Sequence, residues 1–326
     1  MLRKILAIVA LTMVIVMSIS ASQADAEKHY QDAIRLALTD LDRAEEEFKA
    51  AMADDDTYVD PYIGEARLLI EGRGQLLEAL PYANKAAALA PNNFEAYFIR
   101  GTIYFGLATQ DTLNKAAADF RKAVEINPGS APAHRFLGMT YGALNLYNDA
   151  VYEYKAAAKY APTDASINYE LGTLLLRLEK NSDAISYLKA AVLAKDGEYS
   201  YHWALGIAYY RTKQNDDAVK ELQKASALAP KTPGIVCDLG LCYAQMKQYT
   251  KAIETYRQAI KIDQNYATAW YNLACVYALR VNVNSAVDNL ARAIQLNPKF
   301  REMAKTDPDF NAIRSEKAFS DLIKGI

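Results

Sequence analysis

Along most of the chain the apolar residues return in short groups spaced as one face of a helix, and two kinds of group alternate. The first kind is a Leu-Gly pair with a large residue three positions on. Leu137-Gly138 with Tyr141 returns as Leu171-Gly172 with Leu175, Leu205-Gly206 with Tyr209, Leu239-Gly240 with Tyr243, and Leu273-Ala274 with Tyr277. The second kind is an alanine, a large residue four later, and an alanine three after that. It occurs as Ala150-Tyr154-Ala157, Ala184-Leu188-Ala191, Ala218-Leu222-Ala225, Ala252-Tyr256-Ala259 and Ala286-Leu290-Ala293. Both patterns step by 34 residues.

At about 100° per residue, positions 4, 7, 8 and 11 of each unit form one stripe, and positions 20, 24 and 27 form another. The spacing predicts two amphipathic helices per unit, packed as an antiparallel pair. Small residues at positions 8, 20 and 27 allow close approach, and enlarging them would cost about 1–3 kcal/mol by overpacking. Tyrosine at position 11 is expected to be a large core piece, whose truncation would cost about 3–5 kcal/mol. Proline closes many units, at Pro91, Pro128, Pro162, Pro230 and Pro298, because it has no N–H to continue a helix. One pair cannot bury its own apolar face, so the units must stack.

This pattern resembles the tetratricopeptide repeat over about residues 25–300. The resemblance implies an all-α, right-handed superhelical solenoid of antiparallel helix pairs. Units fall at 59–93, 94–130, 131–164, 165–198, 199–232, 233–266 and 267–300, after a degenerate first unit at 25–58 marked by Ala44, Phe48 and Ala51. The unit at 94–130 carries about three extra residues near Ala108–Thr112, at its internal turn, and the unit at 59–93 carries one near Glu71–Gly74. Arg100 stands where leucine is usual, and Asp196 and Gln264 replace the closing proline. Residues 301–326 are expected to form a helical cap. Asp307-Pro308 predicts an N-cap with proline at the first helical position. Phe310, Ile313, Phe319, Leu322 and Ile323 supply its anchors.

The N-terminus has a different pattern. Arg3 and Lys4 precede an almost wholly apolar run, Ile5 to Met17, followed by small residues through Ala26. That order predicts a secretory signal over residues 1–24, with cleavage after Ala24 or Ala26. The alternative is an uncleaved anchor over residues 5–19, shorter than the roughly 20 apolar residues a spanning helix needs. The expected location is therefore periplasmic or secreted, with a membrane partner only if the segment is retained.

Composition sharpens this reading. With 37 basic against 39 acidic residues there is no polyanion footprint, and nucleic acid is not an expected partner. The 23 tyrosines are largely absorbed by the repeat, at position 11 (Tyr104, Tyr141, Tyr209, Tyr243, Tyr277) and position 24 (Tyr154, Tyr256).

Candidate catalytic and metal chemistry is sparse. His134 and His202 share position 4 on the buried stripe, without an acid or cysteine at ligand spacing, and are expected to be packed core. His29 has no partner either. Cys237 and Cys242 lie five apart on one helix, beyond ordinary disulfide reach, and with Cys275 are expected to be free thiols. Asp54-Asp55-Asp56 lacks a calcium-loop spacing, and Gly72-Arg73-Gly74 lacks the lysine and hydroxyl residue of a phosphate loop. No cofactor, metal or enzymatic activity is expected.

The opposite face of the first helices, positions 2, 5, 9, 12 and 13, lines the concave groove in tetratricopeptide proteins. It carries Phe98, Arg135, Tyr169, Arg177, Trp203, Tyr210, Arg211 and Tyr271, with Phe105, Met139 and Gln245 beside them. Aromatics and arginine are enriched at binding hot spots. The expectation is a non-catalytic scaffold that holds a protein or peptide in this groove, the arginines favouring a carboxylate-bearing ligand. The clamp by which some co-chaperones of the family hold a peptide's terminal carboxylates is absent: the corresponding residues are Arg135 with Met139, Tyr169 with Glu170, and Trp203 with Ala204. Self-association, or a membrane-anchored part in an envelope export or assembly complex, is the alternative function.

Overall fold

The structure, a computed structural model, describes residues 21–325. The signal or anchor expected at residues 1–24 lies almost wholly outside the described residues. The chain divides between Ala161 and Pro162 into two compact halves.

In the N-terminal half, residues 21–36 form α1 and Leu41–Asp54 form α2. The next pair is α3 (Val59–Arg67, running on through a π turn at Leu68–Gly72) and α4 (Leu76–Leu89). Then follow α5 (Phe94–Leu107) with α6 (Gln110–Ile126), and α7 (Ala131–Ala143) with α8 (Tyr147–Tyr160). In the C-terminal half, α9 (Ala165–Arg177) pairs with α10 (Asn181–Ala194), and α11 (Tyr199–Arg211) with α12 (Asn215–Leu228). α13 (Pro233–Gln245) pairs with α14 (Tyr249–Ile262), and α15 (Ala267–Leu279) with α16 (Val283–Leu296). α17 (Lys299–Thr306), a 3-10 turn at Pro308–Ile313 and α18 (Lys317–Lys324) close the chain. The fold is all-α, built of consecutive helix pairs with a C-terminal helical cap.

The pairs from α5–α6 to α13–α14 are each seated where a large second-helix side chain, at or equivalent to position 24, meets a position-8 glycine. A Cβ on Gly240 would come 2.5 Å from the Tyr256 ring, and one on Gly172 would come 2.5 Å from Leu188. Tyr256 and Leu188 are fully buried. The turn inside each pair repeats as well. Asn145, Glu179, Lys213, Lys247 and Val281 all have left-handed φ near +60°, and the next residue's N–H returns to the first helix, as Asn282 N to Tyr277 O at 2.9 Å. This is the Schellman closure of a helix end.

Both length irregularities are absorbed locally. The one extra residue at 59–93 becomes the π turn, since i→i+5 bonding accommodates one more residue than α-helical bonding. The three at 94–130 lengthen α6 to 17 residues against 14 in α8. They enter as helix rather than as a longer turn.

Two polar ladders join successive units, and neither was foreseen. Position 4 donates to the backbone carbonyl six residues earlier, at the close of the preceding unit. His134 Nε2 reaches Pro128 O at 3.0 Å, Asn168 Nδ2 reaches Pro162 O at 2.9 Å, His202 Nε2 reaches Asp196 O at 2.8 Å, and Trp270 Nε1 reaches Gln264 O at 2.9 Å. Because the acceptor is a main-chain carbonyl, aspartate or glutamine serves there as well as proline. In the second ladder a polar side chain on the preceding second helix donates to the position-11 tyrosine hydroxyl. The pairs are Arg121–Tyr141 (3.3 Å), Gln223–Tyr243 (3.3 Å) and Arg257–Tyr277 (2.7 Å). These tyrosines bury a ring and keep a polar tip, so they are not simply core pieces.

The histidines also have acids within reach. His134 Nδ1 lies 2.6 Å from Glu153 Oε2, and His202 Nδ1 lies 2.6 Å from Glu221 Oε2. The acid is 19 residues on, across the helix pair, a separation that ligand-motif spacing does not register. Arg100 uses the same device: Nε and Nη2 bind both oxygens of buried Asp119 at 2.7 Å. A bidentate pair replaces the usual leucine packing.

Candidate functional site

The clearest site lies in the C-terminal half, between the first helices α11 and α13. A cavity of about 170 Å³ is lined by Ile207, Tyr210, Arg211, Leu222, Asp238 and Leu241. Ile207 and Leu241 both occupy position 9, Tyr210 position 12 and Arg211 position 13. Leu222 rises from α12 as the floor and is fully buried.

The polar groups are fixed from outside the cavity. The Trp203 indole N–H donates to Asp238 Oδ2 at 2.6 Å. Its ring lies close enough to α13 that a Cβ on Gly234 would sit 3.2 Å away. Arg211 Nη1 donates to Leu176 O on α9 at 2.8 Å. Burial pushes the Asp238 carboxyl above its ordinary range, against the Trp203 hydrogen bond and the Arg211 charge, which lower it. Burial also raises the Tyr210 phenol, aided by Cys242, Asp238 and Asp309.

The remaining predicted groove residues are differently placed. Trp203 lies against α13 and positions Asp238, so much of its ring is already used. Tyr271 is buried: its ring stacks on Phe300 at 4.5 Å and its hydroxyl donates to Asp307 Oδ2 at 2.6 Å. The cap occupies the space a ligand would need there, which corrects the placement of Tyr271 in an open groove. Tyr169 packs on Tyr201 at 4.7 Å. Arg177 is exposed in the last turn of α9.

Phe98 and Arg135 belong to the N-terminal half. Phe98 is half-buried in an aromatic cluster, stacked on Phe94 at 5.5 Å and edge-on to Phe120 and Phe136. That is packing between helices rather than a presented anchor. Arg135 lies partly buried on α7. This half also holds an apolar cavity of about 350 Å³ whose walls include Tyr30, Ile34, Leu38 and Leu68.

Sequence reasoning missed Asp238 because position 6, near 240° on the helical wheel, was left out of the groove set although it lies next to position 13. A signal was present: Asp238 is the only charged residue in the 13 of α13. All three cysteines are free and buried. Burial lifts the thiols of Cys237 and Cys242 to about 12, which makes them poor nucleophiles. Cys275, Asp307 and Asp309 converge beneath the cap within 4.8 Å; burial and the two carboxylates hold the Cys275 thiol well above its ordinary value. Among the described residues, no helix is long and apolar enough to cross a membrane.

Comparison with known proteins places this architecture. The tetratricopeptide repeat model matches residues 64–131, 137–200 and 169–233, together more than half of the chain, and a further TPR repeat model matches 243–279. No curated protein matches significantly. Among solved structures, the C-terminal part of a TPR repeat-containing protein from Cytophaga hutchinsonii is similar with a TM-score of 0.60 at 18% identity, over 77% of this chain and 99% of that one. YrrB, a TPR protein with an unusual peptide-binding site, is similar with a TM-score of 0.54 at 22% identity, over 57% of this chain and 95% of its own. The pilF protein of Pseudomonas aeruginosa gives 0.51 at 18% identity, over 69% and 97%. At these identities the likeness is one of fold alone. The chain belongs to the tetratricopeptide repeat family.

Proposed function

We propose that this protein is a non-catalytic adaptor that binds a protein or peptide segment on the first-helix face of its C-terminal half. The observation that carries this is the α11–α13 cavity, where apolar walls meet Tyr210 and two oriented polar groups, Arg211 and Asp238. Concave, mostly apolar sites with a few fixed polar groups are the usual form of a recognition pocket. A groove held rigid by stacked helices also avoids part of the ordering cost of binding. The peptide-binding site of YrrB, a protein of the same fold, is in keeping with this reading.

The test uses peptides selected from a random library on the purified chain. Tyr210→Ala should weaken their binding at least tenfold, with the circular dichroism spectrum and melting unchanged. Undiminished affinity in that variant overturns the assignment.

We also propose that the protein acts outside the cytoplasm, because Arg3 and Lys4, the apolar run and the small residues after it have the order of an export signal. Mass spectrometry of the mature N-terminus in the native host should find a chain starting at Asp25 or Glu27. A retained Met1 with cytosolic fractionation would refute it.

A further inference from the structure

The charges around the α11–α13 cavity point to a particular ligand group. Asp238 lines the cavity and is largely desolvated, with Oδ2 taken by the Trp203 indole. Desolvated carboxylates gain from a cation brought to them. The nearby cation is Arg211, and one of its nitrogens is committed to the Leu176 carbonyl. The α13 wall of the cavity therefore presents a carboxylate. The cavity itself is lined by Ile207, Leu222 and Leu241, so a purely polar cation would lose hydration there without apolar contacts in return.

A side chain that combines an aliphatic stem with a cationic head satisfies both conditions. We propose that the cavity receives a lysine or arginine side chain of the bound peptide, its stem between Ile207 and Leu241 and its cation directed at Asp238. Tyr210 borders the same path and offers a ring face to the cation. This changes the ligand chemistry expected from the sequence. Arg135, Arg177 and Arg211 suggested a carboxylate-bearing partner, whereas the half-buried Asp238 beside Arg211 favours a basic one.

The inference rests on groove binding, and the experiment separates the two. Random peptides are selected on the wild-type chain and on Asp238→Asn, which keeps an oxygen for the Trp203 N–H and so preserves the fold. Wild-type selections should be enriched in lysine or arginine next to an aliphatic residue, and the enrichment should vanish with Asp238→Asn. For the best peptide, replacing its basic residue by norleucine should weaken binding tenfold or more to wild type, and less than threefold to Asp238→Asn. Peptides that need Tyr210 but carry no basic residue would overturn this inference and leave groove binding standing. Basic peptides that bind Asp238→Asn undiminished would also overturn it. Peptides indifferent to Tyr210→Ala, or no selection at all, would overturn both.

Discussion

Arg257 Nη2 donates to the Tyr277 hydroxyl at 2.7 Å across the junction between two repeats. The same contact measures 3.3 Å at Gln223–Tyr243 and at Arg121–Tyr141. Beyond the apolar bulk that Leu175 also supplies at this position, these tyrosines add a hydroxyl that bonds across the junction. Tyr277→Phe keeps the ring and should cost about 1 kcal/mol, the worth of a charge-assisted hydrogen bond near the surface. Tyr243→Phe should cost about half as much, because its donor is neutral and more distant. Urea unfolding of both variants checks the order.

The position-4 ladder makes a sharper demand at His202, which is fully buried and bonded on both ring nitrogens. His202→Leu leaves the Asp196 carbonyl and the Glu221 carboxylate without this donor and should cost about 2–4 kcal/mol. His202→Asn should recover part of that loss, because Asn168 makes the same carbonyl contact at 2.9 Å one unit earlier. Equal destabilisation by Leu and Asn in thermal melts would count against the ladder.

Glu65 is buried on α3, and neither carboxylate oxygen has a hydrogen-bond partner. Burial, then the charge of Glu45, raises its carboxyl from the ordinary 4.5 to about 7, with Lys49 and Arg73 opposing. Between those values the folded chain holds a proton that the unfolded chain has released. Stability should therefore be greatest below pH 4.5 for this group, fall as pH rises towards 7, and level off above it. The loss is on the order of 3 kcal/mol. Glu65→Gln should remove this slope, so the gap between variant and wild type should widen from pH 5 to pH 8 in parallel melts.

Val281 holds φ at +58°, a left-handed conformation that a β-branched residue rarely adopts. It is exposed, so its side chain contributes little packing in return. Val281→Asn should stabilise the chain by about 1 kcal/mol, since asparagine already serves at the equivalent Asn145. A denaturation midpoint that does not rise would contradict this account of the turn.

The helix pairs and the glycine seats were legible because each depends on a periodic apolar pattern, and 34-residue recurrence multiplies a weak local signal. Gly240 beneath Tyr256 is one such case. The polar ladders were not legible, because they join residues through main-chain carbonyls or across 19 to 20 residues, where no periodicity speaks. His202 looked like a core residue for that reason. The candidate site was half legible. Face arithmetic found Tyr210 and Arg211. It could not tell that the cap covers Tyr271, that Trp203 is spent on Asp238, or that Phe98 is absorbed by three other phenylalanine rings. Those outcomes depend on what a neighbouring element places opposite a residue, which a helical wheel does not contain.

The π turn at Leu68–Gly72 has a consequence for how the chain tolerates change. A surplus residue inside a plain α-helix would swing every later side chain by about 100°. Here the wider turn takes up the slack, and α4 begins with its alanines facing the core. It behaves like an expansion joint, with the surplus confined to one coil of backbone. Deleting Glu71, at the exposed edge of that coil, should tighten it to ordinary α-helix and leave the downstream phase intact. The same deletion in the middle of α9 would throw the following repeats out of register.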